Sequence, residues 1–285
     1  MALRVLITGG SGQVGRELIG ECSSRAEIGE IYAPPSETLN LSDRNSVIGA
    51  VVEFKPDWII HAGAWTQVDA CEGDLGKAYL VNALGTRFVT EAGEAASSRV
   101  LYISTDYVFD GSGKRPYLEW DPVGPRTIYG ASKLAGEREL RSTDTIVRTS
   151  WVMGEYGHNM AKTLIRLAHS EGEHRFVDDQ IGIPTIVSDM VKTICDLVVG
   201  GYGGIFHLSN SGPTTWYDIA CYVFDLLGED SSRIIPIKTA ELSGLRAPRP
   251  HYSVLDNFAL RGIGMKPLPP WQESLARLVN KLTVG

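Results

Sequence analysis

Tyr129 and Lys133 are the residues of this 285-residue chain whose types and spacing most directly suggest chemistry. They stand four apart in Ile128-Tyr-Gly-Ala-Ser-Lys133, and on a helix that spacing puts phenol and ammonium on one face, one turn apart. A free tyrosine keeps its proton to about pH 10, and an adjacent fixed cation favours phenolate and draws that value down. Tyr129 is therefore expected to act as a general acid near neutrality. Thr105 closes the apolar run 100–104, and its hydroxyl could bond the carbonyl oxygen that Tyr129 protonates. An orienting hydroxyl, an acid and a charge that tunes the acid are what carbonyl reduction needs. Because Tyr-x-x-x-Lys is also an ordinary pair on amphipathic helices, the reading depends on a dinucleotide site elsewhere in the chain.

Such a site stands near residue 1. The β-rich run 3–8 ends in Gly9-Gly-Ser-Gly12-Gln-Val-Gly15, and a helical period continues over 16–20. Gly9, Gly12 and Gly15 thus form G-x-x-G-x-x-G between a strand and a helix, the context the motif requires. Missing side chains let a pyrophosphate approach the backbone, and the helix N-terminus behind it offers N–H donors and a favourable dipole. Gln13, Val14 and Arg16 join this turn as candidate cofactor-binding residues. A second strand, near 30–33, ends in Pro34-Pro35-Ser36 and offers no carboxylate for a ribose diol. That absence leans the cofactor towards NADPH, with Arg16 able to reach a 2′-phosphate, and leaves NADH open. Asn40 and Leu41 could edge the adenine, ahead of a helix over 43–54 capped by Ser42. Ala62, Gly63 and Ala64 follow the third strand, and small residues at the carboxyl end of a parallel strand leave room for a ligand.

The elements that must position these groups repeat with a βαβαβ rhythm to about residue 150. A long helix is expected over 75–96 with Asp74 as its cap, then a strand carrying Thr105, a helix after Pro125 carrying Tyr129 and Lys133, and a strand over 145–150. The rhythm predicts an α/β fold: a Rossmann-type doubly wound parallel sheet, with helices on both faces and right-handed crossovers. Residues 1–150 would form the dinucleotide-binding domain and 151–285 a smaller, irregular, mainly substrate-binding domain, with segments near 186–227 returning to the first. Within that second part Thr215 should cap a helix to about 227. Trp271, Leu275, Leu278, Val279 and Leu282 should form the apolar stripe of a terminal helix.

Composition excludes other classes. A hydrophobic fraction of 43% with 21% charged residues fits a globular protein, and a net charge of −7 without a basic stripe argues against nucleic acid as a partner. Cys22, Cys71, Cys195 and Cys221 are scattered, as reduced thiols are, and neither they nor the six histidines show metal-ligand spacing. No metal is expected. With neither signal-peptide anatomy nor an apolar run near ~20 residues, no membrane partner is expected either, and the cytoplasm is the expected compartment.

With the glycine turn, Thr105 and Tyr129-x-x-x-Lys133 in place, the chain resembles the extended short-chain dehydrogenase/reductases. Ser104-Thr-Asp-Tyr-Val-Phe-Asp-Gly111, Arg148-Thr-Ser-Trp-Val152, Asp179-Gln-Ile-Gly-Ile-Pro-Thr185, Thr215-Trp216 and Arg249-Pro-His251 are similar to the dTDP-4-dehydrorhamnose reductase family. The likeness runs from residue 3 to Gln272. It implies hydride delivery from NAD(P)H to the C4 carbonyl of dTDP-4-dehydro-L-rhamnose, with Tyr129 as acid, Lys133 on the cofactor ribose and Thr105 orienting the carbonyl. It further implies that Val68, Asp106 and Trp151 line the sugar pocket, and Arg249, with a planar fork suited to phosphate, is expected at the diphosphate or nucleotide. Val108-Phe109-Asp110 favours this branch over the epimerases and dehydratases, which usually carry Val-Tyr-Gly there. Gly63-Ala64-Trp65 departs from the family's alanine run. Alternatives are another nucleotide-sugar reductase or epimerase, or a regulatory subunit resembling that of methionine adenosyltransferase; a homodimer is a possible assembly.

Overall fold

The computed structural model describes residues 2–284. β1 (Leu3–Thr8) carries Val5, Leu6 and Ile7 with no exposed surface, the continuous apolar run of a parallel strand covered on both faces. After it come α1 (Gln13–Ser24), β2 (Ile28–Tyr32), α2 (Arg44–Phe54), β3 (Trp58–His61), α3 (Val68–Cys71), α4 (Leu75–Tyr79), α5 (Gly85–Ala95), β4 (Arg99–Thr105), α6 (Ile128–Glu137) and β5 (Thr145–Thr149). The second half holds β6 (Val152–Met153), α7 (Met160–Ala168), β7 (His174–Val177), β8 (Ile181–Gly182), β9 (Thr185–Ile186), α8 (Val187–Val199), β10 (Gly204–His207), β11 (Thr214–Thr215), α9 (Trp216–Leu226), β12 (Ile234–Ile237), α10 (Phe258–Gly262) and α11 (Trp271–Val284).

Six parallel strands in the order β10-β5-β4-β3-β1-β2 make the central sheet, so the Rossmann-type doubly wound architecture expected from the sequence is observed. Winding reverses between β1 and β3, and the carboxyl ends of those two strands open the crevice in which such sheets bind ligands. On one face α1 and α8 bury Leu18, Cys22, Met190, Ile194 and Cys195, with the Cys22 and Cys195 sulfurs 3.5 Å apart. On the other, α2 and α5 bury Val47, Val51, Val89 and Ala92. All four cysteines are free thiols. No helix among the described residues is long and apolar enough to cross a membrane.

Two local expectations are corrected. Asp43, not Ser42, caps α2, because its carboxylate accepts from Asn45 N at 2.9 Å and Ser46 N at 3.4 Å while Ser42 sits one residue too early. The helix expected over 75–96 is not uniform: capped by Asp74 as expected, it passes from α4 through a π turn at Leu80–Leu84 into α5. The π turn leaves one extra residue in the helical circuit and turns Asn82 inward, where it is buried.

The second half is built from small pieces, with the two-stranded pairs β6/β9, β7/β12 and β8/β11. Of the stretch 186–227, α8 lies on the sheet beside α1 and β10 extends the sheet beside β5. α9 goes elsewhere, because its apolar face of Ile219, Ala220, Val223 and Phe224 packs with α7 and α11 in a separate core. Thr215 and Asp218 form the capping box that starts α9.

Candidate active site

Gly9 leaves β1 with φ +68°, and a Cβ on it would lie 2.7 Å from Gly63 Cα; one on Gly15 would lie 2.1 Å from the Gly9 carbonyl oxygen. Only glycine fits either position. Gly12 N donates to Gly9 O at 2.9 Å, closing the turn, and α1 begins at Gln13 without a side-chain cap. Its first N–H groups are therefore left to an anionic ligand. These features suit the diphosphate of a dinucleotide. Behind the turn Thr8 Oγ1 bonds His61 Nδ1 at 2.7 Å and His61 Nε2 bonds Thr86 Oγ1 at 3.1 Å, tying β1, β3 and α5 together. Burial, helped by the Lys133 charge, pulls His61 down to about 3, so its ring is neutral.

A cleft of about 560 Å³ runs from this turn across the ends of β3, β4 and β5. Gly9, Gly12, Gln13, Val14, Gly15, Ala62, Ala64, Val68, Thr105, Asp106, Tyr129, Lys133 and Trp151 all line it. Five expected residues do not. Gly63 and Leu41 lie behind the wall: Gly63 is buried, and a Cβ on it would come within 2.8 Å of Leu41 Cδ1, which packs against the α2/α5 core. Asn40 is exposed and uses its side chain to accept from Ser42 N at 2.9 Å. Arg16 is exposed, with its Nε donating to Ser11 O at 3.2 Å and its guanidinium 5.5 Å over the Tyr156 ring. Arg249 pairs with Asp69 and lines a neighbouring cavity of about 310 Å³ with Tyr107 and Arg126.

β4 delivers Thr105 to the cleft, where its Oγ1 accepts from Tyr107 N at 3.3 Å and donates to Asp106 Oδ1 at 2.9 Å. Asp106 is buried, its Oδ2 has no partner, and burial pushes its carboxyl up to about 6. Thr127 caps α6 through Gly130 N at 2.9 Å, setting Tyr129 in the first turn and Lys133 in the second. Tyr107 meets the Tyr129 ring edge-on at 5.6 Å between centroids.

Lys133 does not acidify Tyr129 in this arrangement, contrary to the expectation from their spacing. Its Nζ donates to Ile103 O at 2.7 Å and sits 4.0 Å from the centre of the Tyr102 ring. Burial dominates both groups. It raises the Tyr129 phenol above its ordinary value, against the lowering influence of the Thr105 hydroxyl, and it pulls Lys133 down to about 7, against the raising influence of Glu137.

Two supports of the site were not anticipated. Asn82 holds the 63–66 loop to α6: its Oδ1 accepts from Trp65 N at 2.8 Å, and its Nδ2 donates to Trp65 O at 3.1 Å and Ser132 Oγ at 3.0 Å. Glu137, at the end of α6, is gripped by Arg148 through Nε at 2.9 Å and Nη2 at 2.7 Å, and by the Ser104 hydroxyl at 2.5 Å. Their sequence signals were a polar residue in a helix interior and a charge inside the apolar strand Thr145–Thr149.

Sheet order, glycine turn and a Tyr/Lys pair on one cleft define the class: a Rossmann-type protein of the short-chain dehydrogenase/reductase kind. Residues 3–284 match the family described as the RmlD substrate binding domain, and the chain belongs to that family. It is 40% identical over 282 residues to the spore coat polysaccharide biosynthesis protein SpsK of Bacillus subtilis, covering 98% of this chain and 97% of that one. To a dTDP-4-dehydrorhamnose reductase of Streptomyces griseus it is 40% identical over 281 residues, covering 95% and 91%. The crystal structure of dTDP-4-dehydrorhamnose reductase from Bacillus anthracis in complex with NADP superposes with a TM-score of 0.94 at 38% identity, covering 99% of this chain and 100% of that one.

Proposed function

We propose that this chain is an NADPH-dependent reductase that converts the C4 keto group of dTDP-4-dehydro-L-rhamnose to the hydroxyl of dTDP-L-rhamnose. The observation that carries the reading is the convergence of the uncapped glycine turn, the Thr105 hydroxyl, the Tyr129 phenol and Lys133 on one cleft. The NADP complex of the Bacillus anthracis relative and the name of the Streptomyces griseus relative support the cofactor and the sugar.

When bound, the reduced dinucleotide supplies a hydride to the carbonyl carbon. The first turn of α1 and Gly9, Gly12, Gln13, Val14 and Gly15 would hold its diphosphate, Ala62 and Ala64 would admit its rings, and Lys133 would meet its ribose. Arg16, which among the described residues engages Ser11 O and the Tyr156 face, is the turn's own cation for a 2′-phosphate. Thr105 turns its hydroxyl from Asp106 to the carbonyl oxygen and orients it. Tyr129 stays a neutral phenol across the physiological range and gives its proton to that oxygen. Lys133, at about 7 in the empty cleft and recharged by the cofactor anions, restores the proton that Tyr129 gives up and recovers one from solvent. The unpartnered Asp106 Oδ2 accepts from a sugar hydroxyl, Val68 and Trp151 wall the ring, and Arg249 exchanges Asp69 for a diphosphate oxygen. Cytoplasmic residence and a homodimer belong to the same proposal.

The test supplies dTDP-4-dehydro-L-rhamnose with NADPH or NADH in separate cuvettes and follows oxidation of the cofactor, with the product identified by NMR. One NADPH consumed per dTDP-L-rhamnose formed is expected. Sugar conversion without net oxidation would make the chain an epimerase. Capture of a synthetase partner with no turnover would favour the regulatory-subunit alternative.

A further inference from the structure

Trp151 is a bulky residue in the left-handed region, with φ +46°. The other two such non-glycine residues among those described, Lys55 and Ser97, stand at helix ends, whereas Trp151 stands between β5 and β6 in the wall of the cleft. A bulky residue keeps such a conformation only where its surroundings over-determine it. They do so here. The Trp216 indole stacks on the Trp151 indole with centroids 4.1 Å apart and planes 21° off parallel. On another side, a Cβ at Gly182 would lie 2.6 Å from Trp151 Cζ2, so the ring rests on the Gly182 backbone. Both neighbours come from one small ladder: β8 ends in Gly182, which pairs with Thr214 of β11, and Trp216 opens α9 directly after β11. Thr185 N donates to Trp151 O at 3.3 Å and fixes the backbone as well.

We infer that Trp216 is a positioning residue for substrate selection: with Gly182 it holds the Trp151 indole as a rigid platform for the apolar C–H face of a pyranose. Trp216 does not line the cleft and acts through Trp151. The inference rests on the reductase reading for the identity of the sugar. Two aromatic rings stacked in this way restrict each other's rotamers, and a ring held still binds a sugar face without the ordering that a mobile one requires. The α9 core and the cleft thereby meet at the Trp151–Trp216 stack.

The experiment compares Trp216→Leu, Trp216→Phe and Gly182→Ala with the parent chain by calorimetric titration of dTDP and of dTDP-L-rhamnose, each with NADP present. The ratio of the two dissociation constants isolates the sugar's contribution. Trp216→Leu is expected to shrink that ratio about tenfold, the size of one lost aromatic contact, while dTDP alone and NADPH bind as in the parent. Trp216→Phe should restore the ratio to within about threefold, since a phenyl ring still stacks. Gly182→Ala, which displaces the ring from the other side, should lose it again. Far-ultraviolet circular dichroism of the parent should show the exciton couplet of two stacked indoles, absent from both Trp216 variants. A parent that binds dTDP-L-rhamnose no tighter than dTDP, or a Trp216→Leu variant that keeps the full ratio, overturns the inference. So does equal weakening of dTDP and dTDP-L-rhamnose in Trp216→Leu. If the parent oxidises no NADPH yet the ratio collapses in the variants as stated, the reductase reading fails and the platform stands.

Discussion

Breaking the Glu137–Arg148 pair should unfold this protein more readily than any surface change, and removing both partners should cost far less than removing either. Both side chains are 4% exposed. The pair is bidentate, Ser104 adds a hydroxyl donor to Glu137, and Arg148 also donates to Glu119 O at 3.2 Å and lies 5.2 Å over the Phe109 ring. Glu137→Leu leaves the guanidinium buried without its counter-charge, and Arg148→Met does the same to the carboxylate; each should cost about 3–5 kcal/mol. In a chain of this length that is a fall in Tm of roughly 5–8 °C. With both changes no charge of the pair remains to be solvated, and the double variant should cost under about 2 kcal/mol, recovering most of the summed loss. Denaturant unfolding of the four proteins at one pH closes the cycle. Single variants costing under about 1 kcal/mol, or losses that simply add, would refute the view that this pair pins α6 to β4 and β5.

Three further outcomes follow from the site. Tyr129→Phe should lower kcat by about 10²–10⁴ with NADPH affinity unchanged, measured by turnover and by titration of the cofactor; parental turnover would remove Tyr129 as the acid. Lys133 titrates near 7 in the folded protein and near 10.5 when exposed, so between those values the unfolded chain binds more protons and this group's contribution to stability rises with pH. Cofactor anions entering the cleft should recharge it. NADPH binding should therefore take up a proton above pH 7, weakening towards about tenfold per pH unit, as calorimetry in buffers of different ionisation enthalpy would detect; Lys133→Met should abolish the slope. Gly15→Ala sets a methyl 2.1 Å from the Gly9 carbonyl oxygen, and should weaken NADPH at least about a hundredfold while lowering Tm, a result that unaltered cofactor titration would contradict.

The first half of the fold was legible because its information is local. Val5 to Ile7 and Trp58 to Ile60 are unbroken apolar runs, and Gly9, Gly12 and Gly15 write the turn between β1 and α1 in a single stretch. What escaped depends on partners far along the chain. β8 and β11 are two residues each and exist through each other, and the π turn at Leu80–Leu84 is held at Asn82 by Trp65 and Ser132. Gly63 packs against Leu41 and Arg249 pairs with Asp69, contacts to residues 22 and 180 positions away that no local pattern reveals.

The four-residue spacing of Tyr129 and Lys133 was read correctly as one helix face and incorrectly as one titrating unit. Spacing fixes where two side chains leave a helix; it does not fix what their ends meet. Lys133 Nζ reaches back to Ile103 O, the carbonyl of the strand beneath, and both groups lose water on the way. Desolvation disfavours the charged form of each, so it lifts the phenol and lowers the ammonium, opposite in sign to the effect of a neighbouring cation on a phenol. A helix pair buried in this way has its proton affinities set by whatever charge enters the cleft beside it. The anionic ligand that the uncapped turn of α1 is built to receive would raise Lys133, and cofactor binding, rather than proximity along the helix, is then the event that prepares the acid.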